Sequence, residues 1–199
     1  MPLPASTTRP ILPASIVEID ALTGDFAWHA SALTFSFPGV DSAWSTDFAL
    51  GYGSATAYGE PWHELTPIST DEQAAFREII KAWSTVSGVT FIETADTAAG
   101  YGTLRVARTA RPESPFEYAW AYFPSSSERG GDIWLNRSSP FASNPWTPGS
   151  SAYYAVLHEV GHALGLKHHF GGGPTRPPAS NNPYTPRMAK EAGPVGRAA

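Results

Sequence analysis

Four of the chain's six histidines fall within twelve positions in the stretch LHEVGHALGLKHHF, residues 157–170, and a glutamate directly follows the first of them. Imidazole nitrogens ligate divalent metals and a neighbouring carboxylate accepts protons, so the stretch holds the parts needed to activate water. On an α-helix, positions four apart stack on one face, which lets His158 and His162 aim at one point. Glu159 is turned by about 100° from His158, outside the ligand shell yet close enough to hydrogen-bond a metal-bound water. Gly165 can take a positive φ without steric cost, which ends the helix and lets the chain return so that His168 adds a third nitrogen. His169 could take the same place; the spacing from Gly165 favours His168.

Three neutral imidazoles without a thiolate suit Zn²⁺, and three protein ligands leave the fourth position open for water, as in catalytic zinc sites. An ion held there would lower the pKa of its water toward about 7 and polarise a carbonyl, while Glu159 takes the proton and passes it to a departing amine. Since histidine must be neutral to bind metal, acidification is expected to release the ion. A bare HExxH stretch also occurs on ordinary polar helix ends; the added Gly165 and His168 are what make the longer pattern specific. The remaining histidines have no such company. His63 lies in PWHELTP between Pro61 and Pro67 and reads as a loop residue, and His29 is isolated.

The elements that must hold this stretch can be read around it. The helix carrying it is expected from Ser150 or Ser151, either able to cap it after Pro148 and Gly149, to Leu164, with Gly165 as the left-handed residue past its end. A second, backing helix over 69–87 is the clearest in the chain, with Ala75, Phe76, Ile79, Ile80, Trp83 and Val86 on one stripe. Ser69 with Glu72, or Thr70 with Gln73, can form its capping box, and Gly88 can end it. Strands are predicted at ALTFSF (32–37), VTFIET (89–94), GTLRVAR (102–108), EYAWAYF (117–123) and DIWLN (132–136), and a long surface loop over the Gly- and Pro-rich residues 51–67. A strand, helix, strand, strand order with a helix to follow predicts an α+β fold, helices packed on a twisted mixed β-sheet.

Length and composition agree with one domain plus tails. The chain has 199 residues, 42% of them hydrophobic and 13% aromatic, which is enough to bury a core. Residues 1–25, rich in Pro, Ser, Thr and Ala, read as a flexible leader; 26–170 read as the domain. From Phe170 to the end come six Pro, five Gly, four Lys or Arg and a single acid, so 171–199 read as a basic Pro/Gly-rich tail, expected to be disordered. A net charge of -5 offers no broad cationic surface, so neither nucleic acid nor an anionic membrane is an expected partner. Cysteine is absent, which removes thiolate metal sites. The first twenty residues lack the unbroken apolar core of a secretory signal peptide, and nothing signals association, so a monomer is expected.

HEVGHALGLKH resembles the active-site motif of the metzincins, the zinc endopeptidases with HExxHxxGxxH on one helix and a later Met-turn. SALTFSF, KAWSTVSGVTFIE, AWAYFPSSSERGGDIWLN and YYAVLHEVGHALGLKH are similar to the serralysin branch, so the resemblance covers about residues 25–169. It implies a zincin-like metzincin catalytic domain that hydrolyses extended polypeptides, with Glu159 as general base and His158, His162 and His168 on Zn²⁺. It also implies that an edge strand holds peptide substrate by main-chain bonds; Tyr118, Ala119, Trp120, Ala121 and Tyr122 are the segment for that role, unless they form an edge strand with no ligand. Secretion to the extracellular space without an N-terminal signal, and Ca²⁺ on glycine-rich repeats, are further implications, although no such repeat is present.

Two positions depart from the serralysin pattern. His169 stands where that branch has proline, and the Met-turn has only one candidate, Met188, with Tyr184 the only tyrosine after the motif. A matrixin-like enzyme would need further His and Asp ligands for structural metals upstream, where histidines are few. Two functions therefore stand side by side: a zinc endopeptidase, and a truncated metzincin that binds zinc but is catalytically silent.

Overall fold

The structure, a computed structural model, describes residues 7–47, 49–53, 61–110 and 118–168. Met188, Tyr184, His169, Glu117 and the tail 171–199 lie outside the described residues. Along the chain run β1 (Thr8–Pro10), α1 (Val17–Leu22), β2 (Phe26–Trp28), β3 (Ala32–Ser36), a 3₁₀ turn (Pro61–Glu64), β4 (Leu65–Thr66), α2 (Thr70–Ser87), β5 (Thr90–Glu93), β6 (Leu104–Thr109), β7 (Ala119–Ala121), β8 (Ile133–Asn136) and α3 (Ser151–Leu164).

The expected α+β architecture is present. The main sheet has the order β5-β3-β6-β8-β7, with β4 also pairing β6. Strands β3, β5, β6 and β8 are mutually parallel, and β7 closes one edge antiparallel to β8, pairing Ala119 with Leu135 and Ala121 with Ile133. Period-two alternation sorts the side chains between two faces. Phe35, Leu104, Val106, Ala121, Ile133 and Leu135 point into the main core with Phe76, Ile79 and Ile80 of α2 and Val156, Val160 and Ala163 of α3. On the opposite face, Ala107, Trp120 and Trp134 form a second cluster with Tyr52.

Helix α2 starts where its capping chemistry dictates. Ser69 accepts from the Glu72 backbone N–H, the Glu72 carboxylate accepts from the Ser69 N–H at 2.8 Å, and Gly88 ends the helix at φ 71°. Of the two capping boxes the sequence allows, this one wins because Glu72 also meets buried Arg108 of β6, tying the helix start to the sheet. Val86, read as part of the apolar stripe, is 76% exposed, because the helix runs past the edge of the core before Gly88 ends it. Trp83, one turn earlier, reaches α3 instead, its indole N–H donating to the Leu157 carbonyl at 3.0 Å.

Two segments differ from the sequence reading. Within the expected surface loop 51–67, Tyr52 is buried and Leu65–Thr66 form β4, since the aromatic cluster draws Tyr52 inward and the short strand pairs the end of β6 that β3 does not reach. Within the expected flexible leader, β1 pairs antiparallel with β2, and the chain between them carries α1. No residue of α1 is buried; main-chain bonds, which leave no hydrophobic period, hold this region.

Candidate metal centre

Helix α3 begins at Ser150, whose hydroxyl accepts from the Tyr153 backbone N–H, and ends at Gly165, with φ 108°. Its buried stripe, Ala152, Val156, Val160 and Ala163, faces the main core. That leaves His158 half-buried and His162 buried on a neighbouring side. Gly161 allows close approach to α2: a Cβ there would lie 3.2 Å from the Trp83 ring.

The turn after Gly165 brings His168 back over the helix. Its Nε2 lies 2.7 Å from His158 Nε2 and 3.1 Å from His162 Nε2. Among the described residues this trio is the one group of His, Asp or Glu side chains able to hold a metal ion. The three centroids are 4.5 to 4.9 Å apart, and the His158 and His162 rings stand edge to face. His162 Nδ1 sits 2.6 Å from the Leu166 carbonyl, which can only accept, so Nδ1 carries the proton and Nε2 keeps its lone pair.

Electrostatics favour the neutral rings of His158 and His162. Burial lowers the His162 imidazole to about 4, with His158 and His168 adding to the effect and the Leu166 carbonyl opposing it. Burial, then His168, also holds His158 below the usual histidine range. The donor set suits zinc: three nitrogens, no sulfur, and separations close to the roughly 3.3 Å expected between ligands of a tetrahedral site with Zn–N of about 2.0–2.1 Å. His168 is exposed and can rotate outward by the small difference.

Glu159, next to the first histidine, is 9% exposed. Tyr118, Ala119, Trp120, Ala121 and Tyr122 form or flank β7, the sheet edge on which α3 packs. Asn136 N–H donates to the Tyr118 carbonyl, and Tyr122 N–H to the Asp132 carbonyl. Tyr118, Trp120 and Tyr122 therefore bond inward to β8, and the alternation of an antiparallel ladder turns the main-chain groups of Ala119 and Ala121 toward the open edge. Beside His158, the Tyr154 ring, 6.0 Å away, borders an open groove of about 510 Å³ that Tyr153 and Leu157 also line.

Several supports of the site have no sequence signature. The Leu166 carbonyl on His162 is a main-chain atom. Phe123 packs edge-on to His162 with centroids 5.6 Å apart, and the Trp28 indole N–H donates to the Ala163 carbonyl at 2.8 Å. Leu166 and Phe123 fell in stretches the sequence had singled out, but for other reasons, and Trp28 was not singled out.

Comparison with known proteins adds to this geometry. The family profile described as matrixin matches residues 61–172. Serralysin of Photorhabdus luminescens is 30% identical over 164 residues, 78% of this chain and 31% of the relative. Serralysin of Photorhabdus laumondii subsp. laumondii is 26% identical with the same coverage. Serralysin C of Dickeya chrysanthemi is 34% identical over 93 residues, 45% of this chain and 19% of the relative. The chain thus spans under a third of the length of these curated relatives.

Proposed function

Because the chain belongs to the matrixin family of metzincin-type peptidases, we propose that it is a zinc endopeptidase acting on extended polypeptides, with His158, His162 and His168 holding the ion. The observation that carries this reading is the convergence of three Nε2 atoms, two of them 2.7 Å apart, from a helix and the turn that follows it. When bound, zinc supplies Lewis acidity and lowers the pKa of a coordinated water toward about 7.

The chain's own residues supply the rest. Glu159, one position from a ligand and nearly buried, accepts the proton of the attacking water on its carboxylate and delivers it to the amine nitrogen that leaves. The Ala119 and Ala121 main-chain groups at the edge of β7 align the peptide as an added strand. The groove beside Tyr154 receives a side chain next to the bond that is cut. The proposal further assigns residues 26–170 to the catalytic domain, an extracellular setting by family resemblance, and a monomer. Calcium has no assigned place in it. Among the described residues no helix is long and apolar enough to cross a membrane.

The zinc-binding but silent form remains the second reading, favoured by one observation: directly after the zinc motif the sequence changes sharply to a basic, Pro-rich stretch. Hydrolysis of a quenched peptide, with and without a zinc chelator and beside Glu159→Ala, separates the two. Chelator-sensitive cleavage lost in the variant supports the enzyme. Stoichiometric zinc with equal, background cleavage by both proteins supports the silent form.

A further inference from the structure

The turn that delivers the third histidine is not self-supporting. Gly165 N–H bonds back to His162 and Leu166 N–H to Gly161, but the turn's remaining main-chain bonds come from the far end of the sequence. Gly24 N–H donates to the Gly165 carbonyl at 2.7 Å, Lys167 N–H donates to the Leu22 carbonyl at 2.8 Å, and Thr23 pairs with Leu166 as an antiparallel bridge. Contact there is as close as chemistry permits. A Cβ on Gly24 would lie 2.9 Å from the Gly165 oxygen, and one on Gly165 would lie 2.8 Å from the Phe26 oxygen. Trp28, 6% exposed, adds its bond to Ala163 in the last turn of α3.

Lys167 precedes one ligand, and Leu166 offers the carbonyl that orients another. The grip is almost purely main-chain: Leu12, Ile16 and Val17 are 81%, 50% and 75% exposed. Residues 7–28 thus add little to the core, yet they hold the one backbone segment on which His168 and the His162 tautomer both depend.

We propose that residues 7–28 form a strap whose main-chain bonds to Gly165–Lys167 position the third metal ligand, so that zinc affinity depends on the strap. The proposal rests on the metal reading of the three histidines. Leu22, Thr23 and Gly24 are positioning residues that act through His168. Coupling of this kind is reciprocal: whatever the strap adds to metal binding, metal must add to strap closure.

Gly24→Val tests it on the 199-residue chain, since the new side chain meets the Gly165 carbonyl and Phe123 first, neither of them a ligand. Zinc affinity is read by competition with a chromophoric chelator, and melting of the metal-free proteins reports the fold. At least tenfold weaker zinc binding is expected for Gly24→Val. In a His168→Ala background the same change should cost less than threefold further, because the ligand through which the strap acts is gone. Equal affinity for Gly24→Val and wild type overturns the strap, as does a tenfold loss that persists undiminished in the His168→Ala background. If His168→Ala itself leaves zinc affinity unchanged, the metal reading falls and takes the strap with it. Should Gly24→Val fail to fold, amide exchange on the wild-type chain decides. Zinc should slow exchange in segments 22–24 and 165–167 by more than in α2, and equal slowing throughout contradicts the proposal.

Discussion

At the residue scale, the site depends on which groups hold the metal and which moves a proton. His158 and His162 follow from helical spacing alone, and both are kept neutral by burial, so their lone pairs are available at ordinary pH. Replacing His158 with alanine leaves two ligand nitrogens; metal content per chain after dialysis should fall from about one to well below half, with α2 and the sheet intact by circular dichroism. Glu159→Ala should behave in the opposite way. Zinc is retained, while cleavage drops by a factor on the order of 10² to 10⁴, the usual contribution of a positioned general base. Loss of zinc from that variant would make Glu159 a ligand or a structural support and end its assignment as the base. The sequence exposed these roles because each depends on residue type and local spacing. It could not expose the Leu166 carbonyl, since any residue would present the same atom.

Elements were legible in proportion to their length and capping. Helices α2 and α3 announced both ends through Ser69, Gly88, Ser150 and Gly165, and the structure uses all four. Strands β3, β5, β7 and β8 lie within the predicted runs and β6 extends one residue past its own, while β1, β2 and β4, at three residues or fewer, are too short to show a period. What ties α2 to the sheet is Glu72, which serves the capping box and also pairs with Arg108, a residue 7% exposed. Ser69→Ala removes only the cap and should cost about 1 kcal/mol. Glu72→Ala also leaves a buried guanidinium without its carboxylate and should cost about 3 kcal/mol or more. Urea denaturation of the two variants checks this, and equal losses would show that the Arg108 pair contributes nothing.

For the whole molecule, the face of the sheet away from the helices carries its own polar problem. Arg105 pairs with Asp96 at 2.6 Å, both within the interior, and its guanidinium lies over the Trp44 ring at 3.6 Å. Nearby, Asp132 is fully buried; the Tyr52 hydroxyl donates to its Oδ2 at 2.6 Å, and Oδ1 has no partner among the described residues. Burial raises the Asp132 carboxyl to about 8, with Arg105 and the Tyr52 bond pulling down and Asp96 and Glu128 pushing up. A folded-state pKa above the unfolded value of about 4 means stability that is fully present below pH 4 and lost as pH rises through about 8. Asp132→Asn has no proton to lose, so the stability of the metal-free wild type relative to this variant should fall steadily from about pH 4 to about pH 8. A difference that stays level over that range would mean the carboxylate is already ionised in the fold.

What the chain determined by itself was local: the helix ends, the apolar stripes, the pairing of His158 with His162 and the carboxylate beside them, because capping and periodicity act within a turn or two. The tertiary structure alone decided that Leu65–Thr66 pair with β6 and that residues 22–24 bond to 165–167. Those outcomes rest on main-chain hydrogen bonds between distant segments, and a backbone amide has the same chemistry under almost every side chain.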